Sequence, residues 1–165
     1  MVVPPASLYV LVLSLATPAG AAPQVVAARG QWAALSTART CEAASRSLRR
    51  PAKGRPPARA SLSFDAGGPR HGQFSVLLSR IPRPGDSVIL TIGETPFLLM
   101  SRGDRAWSRG PAQEAAIIAA MRSNSGMKVE ARSPGGGRIR DYYSLDGAPL
   151  AIDAAAACAA RLANR

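Results

Sequence analysis

Apolar and polar side chains alternate through the middle of the chain at a period of two, which is typical of half-buried β-strands. Leu62 and Phe64 fall on one face, and Phe74, Val76 and Leu78 repeat the pattern after a short break. The opposite face is rich in serine and glutamine. We therefore predict strands here with one face in a core and the other in water.

Further strands are predicted on both sides of this region. A turn cluster at residues 82–86, Pro-Arg-Pro-Gly-Asp, is followed by an alternating segment at 88–92 and an apolar run at 97–100. Nearer the start, residues 31–36 and 40–48 predict two short strands rich in small side chains.

A hairpin is predicted near the end of the chain. Residues 127–131 and 139–144 alternate on either side of the tip 134–137, Pro-Gly-Gly-Gly, and Asp141 falls on the apolar face. Exposed glycine amides can bind phosphate, but a phosphate-binding loop opens a helix, whereas this tip opens a strand. We therefore interpret the glycine run as a simple hairpin tip.

Two segments follow helical spacing instead. Residues 111–123 begin with a proline suited to the first helical turn and precede Gly126, which we take as the terminator. The apolar stripe of this segment is Ala116, Ile117, Ala120 and Met121.

The second helix is predicted from Pro149 to Ala163, with Asp146 as its N-terminal cap. Its apolar face repeats at steps of four and carries Leu150, Ala154, Cys158 and Leu162, so the cysteine should face the core. These elements predict a mainly β fold, a two-sheet antiparallel sandwich or barrel-like domain with one internal helix and a C-terminal helix.

The first 21 residues predict a signal peptide, which leaves a single domain over residues 22–165. The apolar run Leu8–Ala16 is too short to span a bilayer, and Ala19-Gly20-Ala21 has the small-residue spacing of a cleavage site. Residues 1–7 carry no lysine or arginine, which such signals usually have there. The alternative is a buried N-terminal helix.

The chain contains two cysteines, Cys41 and Cys158. An exported chain meets an oxidising compartment, where such a pair forms a disulfide. The alternative is a pair of separate buried thiols.

The formal net charge is +11, and ten of the 21 basic residues lie between Arg39 and Arg83. Residues 49–59 combine prolines and a glycine with basic side chains, so we predict a basic surface loop. Such a charge density favours an anionic partner, although a solvated arginine-rich surface is the alternative. The candidate anion-binding residues are Arg46, Arg49, Arg50, Lys53, Arg55 and Arg59.

The sequence offers no recognisable catalytic, cofactor or metal site. His71 is the single histidine and lies in a turn-like segment without a nearby serine motif to activate. One histidine and two distant cysteines do not make a zinc-type ligand set. We therefore expect no enzyme activity, no cofactor and no metal. A periplasmic hydrolase would need a pocket that joins His71 to an acid and a nucleophile.

Two further motifs have structural interpretations. The tripeptide Arg102-Gly103-Asp104 matches an integrin-binding motif, but we predict a simple connecting turn. Trp32 and Trp107 could stack on bases or sugars, but core packing is the preferred interpretation in a chain with few aromatic residues.

The second half of the chain resembles a known family. The elements that carry the resemblance are Ala106-Trp107, the run Ala112-Gln113-Glu114-Ala115-Ala116-Ile117-Ile118-Ala119-Ala120-Met121, Met127-Lys128-Val129, Asp141-Tyr142-Tyr143-Ser144-Leu145-Asp146-Gly147, and Cys158. They are similar to the invasion-associated locus B family of bacterial exported proteins. The similarity covers about residues 30–158 and is dense only from Ala106 onward.

This resemblance implies a periplasmic or secreted β-domain with accessory helices that acts at the cell envelope or in the invasion of host cells. It supplies no catalytic residue. The family usually has Ser-x-Arg-Gly-Thr before the aspartate, whereas this chain has Ser133-Pro134-Gly135-Gly136-Gly137-Arg138. We therefore expect a non-enzymatic envelope or host-interaction protein with an envelope or host protein as partner and no transmembrane segment after signal cleavage. The alternative function is electrostatic binding of a lipid headgroup, an acidic polysaccharide or nucleic acid through the basic loop.

Overall fold

The computed structural model describes residues 22–165, so the predicted signal peptide lies outside the described residues. The elements in chain order are β1 (Gln24–Arg29), β2 (Trp32–Ser36), β3 (Thr40–Arg46), β4 (Arg59–Asp65), β5 (His71–Leu77), β6 (Val88–Ile92), β7 (Thr95–Arg102), β8 (Arg105–Trp107), α1 (Pro111–Ser123), β9 (Gly126–Arg132), β10 (Arg138–Ser144) and α2 (Ala148–Ala163). The prediction of a mainly β fold with one internal helix and one C-terminal helix is confirmed.

The strands form one continuous antiparallel sheet in the order β1-β2-β3-β4-β5-β8-β7-β6-β9-β10. The short strand β8 joins the two halves, because it pairs with β5 on one side and with β7 on the other. The sheet is not closed into a barrel. All of its strands belong to one hydrogen-bonded sheet, whereas the sequence predicted two sheets or a barrel-like domain. A twisted sheet of this size curls, so one face can enclose a core.

Hydrogen bonds link the two halves of the sheet across the core. The indole N–H of Trp32 donates to the Ser144 carbonyl at 2.8 Å, and the backbone N–H of Ser79 donates to the Asp141 carboxylate at 2.9 Å. Trp32 is only 1% exposed, so the prediction that this residue packs in the core is confirmed. The same prediction is wrong for Trp107, which is half-buried on the opposite face of β8, because its neighbour Ala106 takes the inward position.

Helix α2 packs across β1, β2 and β3, and α1 packs mainly against β5. The predicted face of α2 is partly wrong, since Leu150 is 44% exposed, although Cys158 does face the core. In an alanine-rich helix the spacing of apolar residues does not mark one face clearly. The small alanine side chains allow the face next to the predicted one to pack against the sheet. The buried residues of α2 are Ala148, Ala151, Ile152, Ala155, Cys158 and Ala159.

Of the predicted helix-end signals, Pro111 does begin α1, but the predictions for Asp146 and Gly126 are wrong. The N-cap of α2 is Gly147 in a left-handed conformation without a side-chain cap bond, so Asp146 does not cap the helix. Helix α1 ends at Ser123, and the Asn124 side chain donates to the Ala120 carbonyl at 2.9 Å. This hydrogen bond gives the Ala120 carbonyl at the helix end a partner. The helix therefore does not need Gly126 as its terminator, and Gly126 begins β9 instead.

Candidate anion-binding surface

Cys41 in β3 and Cys158 in α2 form a disulfide, with a Cα–Cα distance of 6.0 Å and a sequence separation of 117 residues. The predicted pairing is confirmed. The bond fixes the C-terminal helix to the strand that leads into the basic loop. The basic loop therefore follows a strand that is covalently linked to the C-terminal helix.

The basic loop, residues 47–58, connects β3 and β4. Its base is closed by a bond from the Ser47 N–H to the Ala58 carbonyl at 2.8 Å. Its first residues lie against β10, because the Leu48 N–H donates to the Tyr142 carbonyl at 2.8 Å and the Arg49 guanidinium donates to the Arg140 carbonyl at 3.2 Å. The loop is therefore attached to two strands of the sheet and not only to its own ends.

The structure places the six predicted anion-binding residues in the basic loop and on the two strand ends that flank it. Four of them belong to the basic loop, and all four are exposed: Arg49, Arg50, Lys53 and Arg55. Arg46 and Arg59 are instead the strand residues that flank the loop, and they lie directly opposite each other in the β3–β4 pair. A basic surface loop is therefore present as predicted, but over residues 47–58 and not 49–59, because β3 ends at Arg46 and Arg59 already begins β4.

Most of these positive charges have no neutralising partner. Arg59 forms an ion pair with Glu42 at 2.5 Å. Within residues 22–165, no carboxylate lies at ion-pair distance from the other five. Some basic residues elsewhere do form ion pairs: the Arg70 guanidinium hydrogen-bonds the Asp65 carboxylate and holds the pKa of that carboxyl below its usual range. Five positive charges that lack an ion pair among the described residues therefore lie close together in sequence at the loop and its flanks.

The sheet register adds two arginines that the sequence analysis did not include. Arg59 pairs with Leu77, Leu77 pairs with Arg105, and Arg105 pairs with Arg102. Directly paired residues share one face of a sheet. The arginine row, Arg46, Arg59, Arg105 and Arg102, therefore crosses the outer face of five strands. A sequence signal existed, since Arg102 and Arg105 flank a two-residue turn, but their partners are distant in sequence.

The tripeptide Arg102-Gly103-Asp104 forms the end of β7 and the turn into β8, where Gly103 has a φ of 60°. The prediction of a connecting turn is confirmed. The glycine adopts the left-handed conformation that such a turn requires.

His71 is the first residue of β5 and is exposed. It lines a cavity of about 430 Å³ together with Glu114. The buried Ser108 hydroxyl donates to Glu114 at 2.9 Å. Within the described part of the chain, no hydrogen bond joins His71 to either residue.

Two polar side chains of β10, Asp141 and Tyr143, are buried in the core. Asp141 has no exposed area and Tyr143 is 1% exposed, which confirms the predicted inward face of β10. One oxygen of Asp141 accepts the Ser79 N–H, whereas its Oδ1 and the Tyr143 hydroxyl have no partner among the described residues. Burial, and secondarily the Asp141 charge, raises the pKa of Tyr143 far above its usual value.

Residues 22–165 contain no group of three or more His, Cys, Asp or Glu side chains placed to hold a metal. No helix in this range is long and apolar enough to cross a membrane. No family model, curated protein or solved structure matches the chain. The resemblance to the invasion-associated locus B family therefore stays a prediction.

Proposed function

We propose that the protein is a non-enzymatic, exported envelope protein that attaches to anionic surfaces through its basic loop. The observation that carries this proposal is the exposed cluster of Arg49, Arg50, Lys53 and Arg55, which lacks neutralising carboxylates in residues 22–165. Uncompensated charge at one place attracts a polyanion by releasing its counterions, and this attraction does not depend on a shaped pocket.

The loop has two further properties that suit attachment. Its prolines keep the charged side chains out of any sheet ladder, and its base is tied to β10 by the backbone of Leu48 and the side chain of Arg49. Because the base is fixed, less conformational freedom is lost when the loop binds. The resemblance described above supports the envelope or the host cell as the place where this attachment occurs.

The proposal includes export to the periplasm or the medium, supported by the apolar run Leu8–Ala16, the Ala19-Gly20-Ala21 spacing and the disulfide. Intact-mass analysis of protein from a periplasmic fraction should find a mature chain that begins near Ala22. A cytoplasmic chain that retains Met1 would contradict export.

Retention on a sulfated polysaccharide column tests the attachment. A loop variant with Arg49, Arg50, Lys53 and Arg55 changed to serine should elute at much lower salt than the wild type. The matched control changes four exposed arginines outside the loop to serine, so both variants lose four positive charges. Equal elution of the two variants would show that overall charge, and not the loop, causes retention. The control residues are Arg29, Arg109, Arg161 and Arg165.

A further inference from the structure

We propose that the outer face of the sheet holds a groove for a linear acidic polysaccharide, in which Arg46, Arg59 and Arg105 bind carboxylate or sulfate groups and Trp107 packs against a sugar ring. This inference rests on the proposed function for the exported location only. Its site differs from the basic loop, which meets the groove at Arg46 and Arg59.

The arginine row is costly for the fold. Arg46 lies directly opposite Arg59, and Arg102 lies directly opposite Arg105. Like charges at directly paired positions destabilise a sheet. Glu42 balances Arg59, but Arg46, Arg102 and Arg105 have no ion-pair partner within residues 22–165. An anionic ligand that bridges the row would remove this repulsion.

A row of small side chains runs alongside the arginines and forms the floor of the groove. Trp107 pairs with Ser75, Ser75 with Ser61, and Ser61 with Ala44. The two serine hydroxyls lie 3.1 Å apart and are hydrogen-bonded to each other. Because the serine and alanine side chains are short, the arginines and the half-buried Trp107 extend further from the sheet and form the walls of the groove.

Two cavities follow this floor and meet at Arg59. The first, of about 320 Å³, is lined by residues that include Ser61, Gln73, Ser75, Arg105 and Trp107. The second, of about 570 Å³, extends over Ala33, Glu42, Ala44 and Arg46 toward β1. Arg59 lines both, so the two cavities are adjacent, and the proposed groove includes both. Neighbouring strands are about 4.8 Å apart, so a groove that crosses β8, β5, β4, β3 and β2 spans about 19 Å.

The lining matches an acidic sugar chain. Guanidinium groups bind carboxylate and sulfate oxygens through two parallel N–H bonds. Serine and glutamine side chains can donate to and accept from hydroxyl groups. The indole face of Trp107 offers an apolar platform for a ring. A groove of this length would contact several sugar units at once.

Single-stranded nucleic acid fits this groove less well. Proteins that bind it place successive bases on several aromatic side chains. Here Trp107 is half-buried and available, whereas Trp32, which also borders the groove, is buried and bonded to Ser144.

Binding of a heparin-derived octasaccharide by the full mature chain tests the groove, with inorganic polyphosphate as a ligand that has charge but no rings. Trp107→Ala should weaken octasaccharide binding about tenfold, a typical effect of losing an aromatic platform, and should leave polyphosphate binding unchanged. Trp107→Tyr should retain octasaccharide binding because it keeps an aromatic face. Arg105→Ser should weaken both ligands, and Arg161→Ser, which removes an exposed charge elsewhere, should weaken neither appreciably.

The inference is overturned if Trp107→Ala and Trp107→Tyr bind the octasaccharide equally well, or if Arg105→Ser behaves like Arg161→Ser. It is also overturned if an oligothymidylate of similar charge binds more tightly than the octasaccharide and loses as much affinity in Trp107→Ala. The comparison of the two Trp107 variants does not involve the basic loop. If the loop variant eluted from the column like its control, the loop proposal would fail and the groove proposal would not be affected. Likewise, equal octasaccharide binding by the two Trp107 variants would overturn the groove proposal and would not affect the loop proposal.

Discussion

The backbone N–H of Ser79 donates a 2.9 Å hydrogen bond to the carboxylate of Asp141, a side chain with no exposed area. This bond holds the segment after β5 against β10 and links the two halves of the sheet. Asp141→Ala should lower the free energy of unfolding by about 1–3 kcal/mol, because it leaves the Ser79 N–H without its acceptor.

Asp141→Asn is the informative companion variant. It keeps an oxygen acceptor for the Ser79 N–H and a side chain of the same size in the core. It should therefore be clearly more stable than Asp141→Ala in urea unfolding. Equal destabilisation by the two variants would show that the carboxylate has another role in the core.

The disulfide should contribute strongly to stability. In the chain-entropy model, a bond that closes a loop across a separation of 117 residues corresponds to about 4–5 kcal/mol. Cys41→Ser and Cys158→Ser should each lower the thermal midpoint by about 10–20 °C, and the double variant should lose little more. Thiol titration of the denatured, unreduced protein gives the direct test. Two free thiols would refute the bond.

The Asp65–Arg70 pair predicts an acid-dependent loss of stability. Arg70 donates to both oxygens of Asp65, at 2.6 and 2.9 Å, and this lowers the pKa of Asp65. A carboxyl with a lowered folded-state pKa adds stability above its unfolded pKa and loses that stability as pH falls through the folded value. Unfolding curves should therefore show this loss below about pH 4.

Asp65→Asn should remove that acid-dependent part and cost about 0.5–1 kcal/mol at pH 7, a modest effect because Arg70 is 40% exposed. Asp104→Asn, at a residue without an ion pair in the described part of the chain, is the control. If Asp65→Asn retains the full acid-dependent loss of the wild type, the pair is not its cause.

Gly147 should tolerate no side chain. Its φ is +86°, and an added Cβ would lie 1.8 Å from the Arg29 carbonyl oxygen. Gly147→Ala should therefore destabilise by about 2–4 kcal/mol through backbone strain and the displacement of β1. Gly135→Ala, where a Cβ meets nothing within 4 Å, is the matched control and should be nearly neutral. Equal stability of the two variants would contradict the close approach.

Local patterns made much of the fold predictable. The β9–β10 hairpin was predictable because Met127, Val129, Ile139 and Tyr143 alternate around a glycine-rich tip, and all four are buried. The start of α1 was predictable from Pro111. In each case, neighbouring residues determine the element.

The missed features depend on distant partners. Strand β8 is only three residues long, and β1 exposes Val25, so neither has a clear apolar period. The loop arginines were visible because they are clustered in sequence. The groove was not, because Arg59 and Arg105 come onto one face only through the registers of β4, β5 and β8.

The salt dependence of binding tests the central claim, that the basic loop attaches the protein to polyanions, most directly. Titration of a fluorescently labelled sulfated polysaccharide at several salt concentrations gives the slope of log K against log salt. Each cation that neutralises an anionic group contributes about 0.7–0.9 to this slope in nucleic acids, and the same counterion release acts here. Changing Arg49, Arg50, Lys53 and Arg55 to serine should reduce the slope by about 3, whereas the control with four changes outside the loop should keep the wild-type slope. Equal slopes for the loop variant and the wild type would contradict the account.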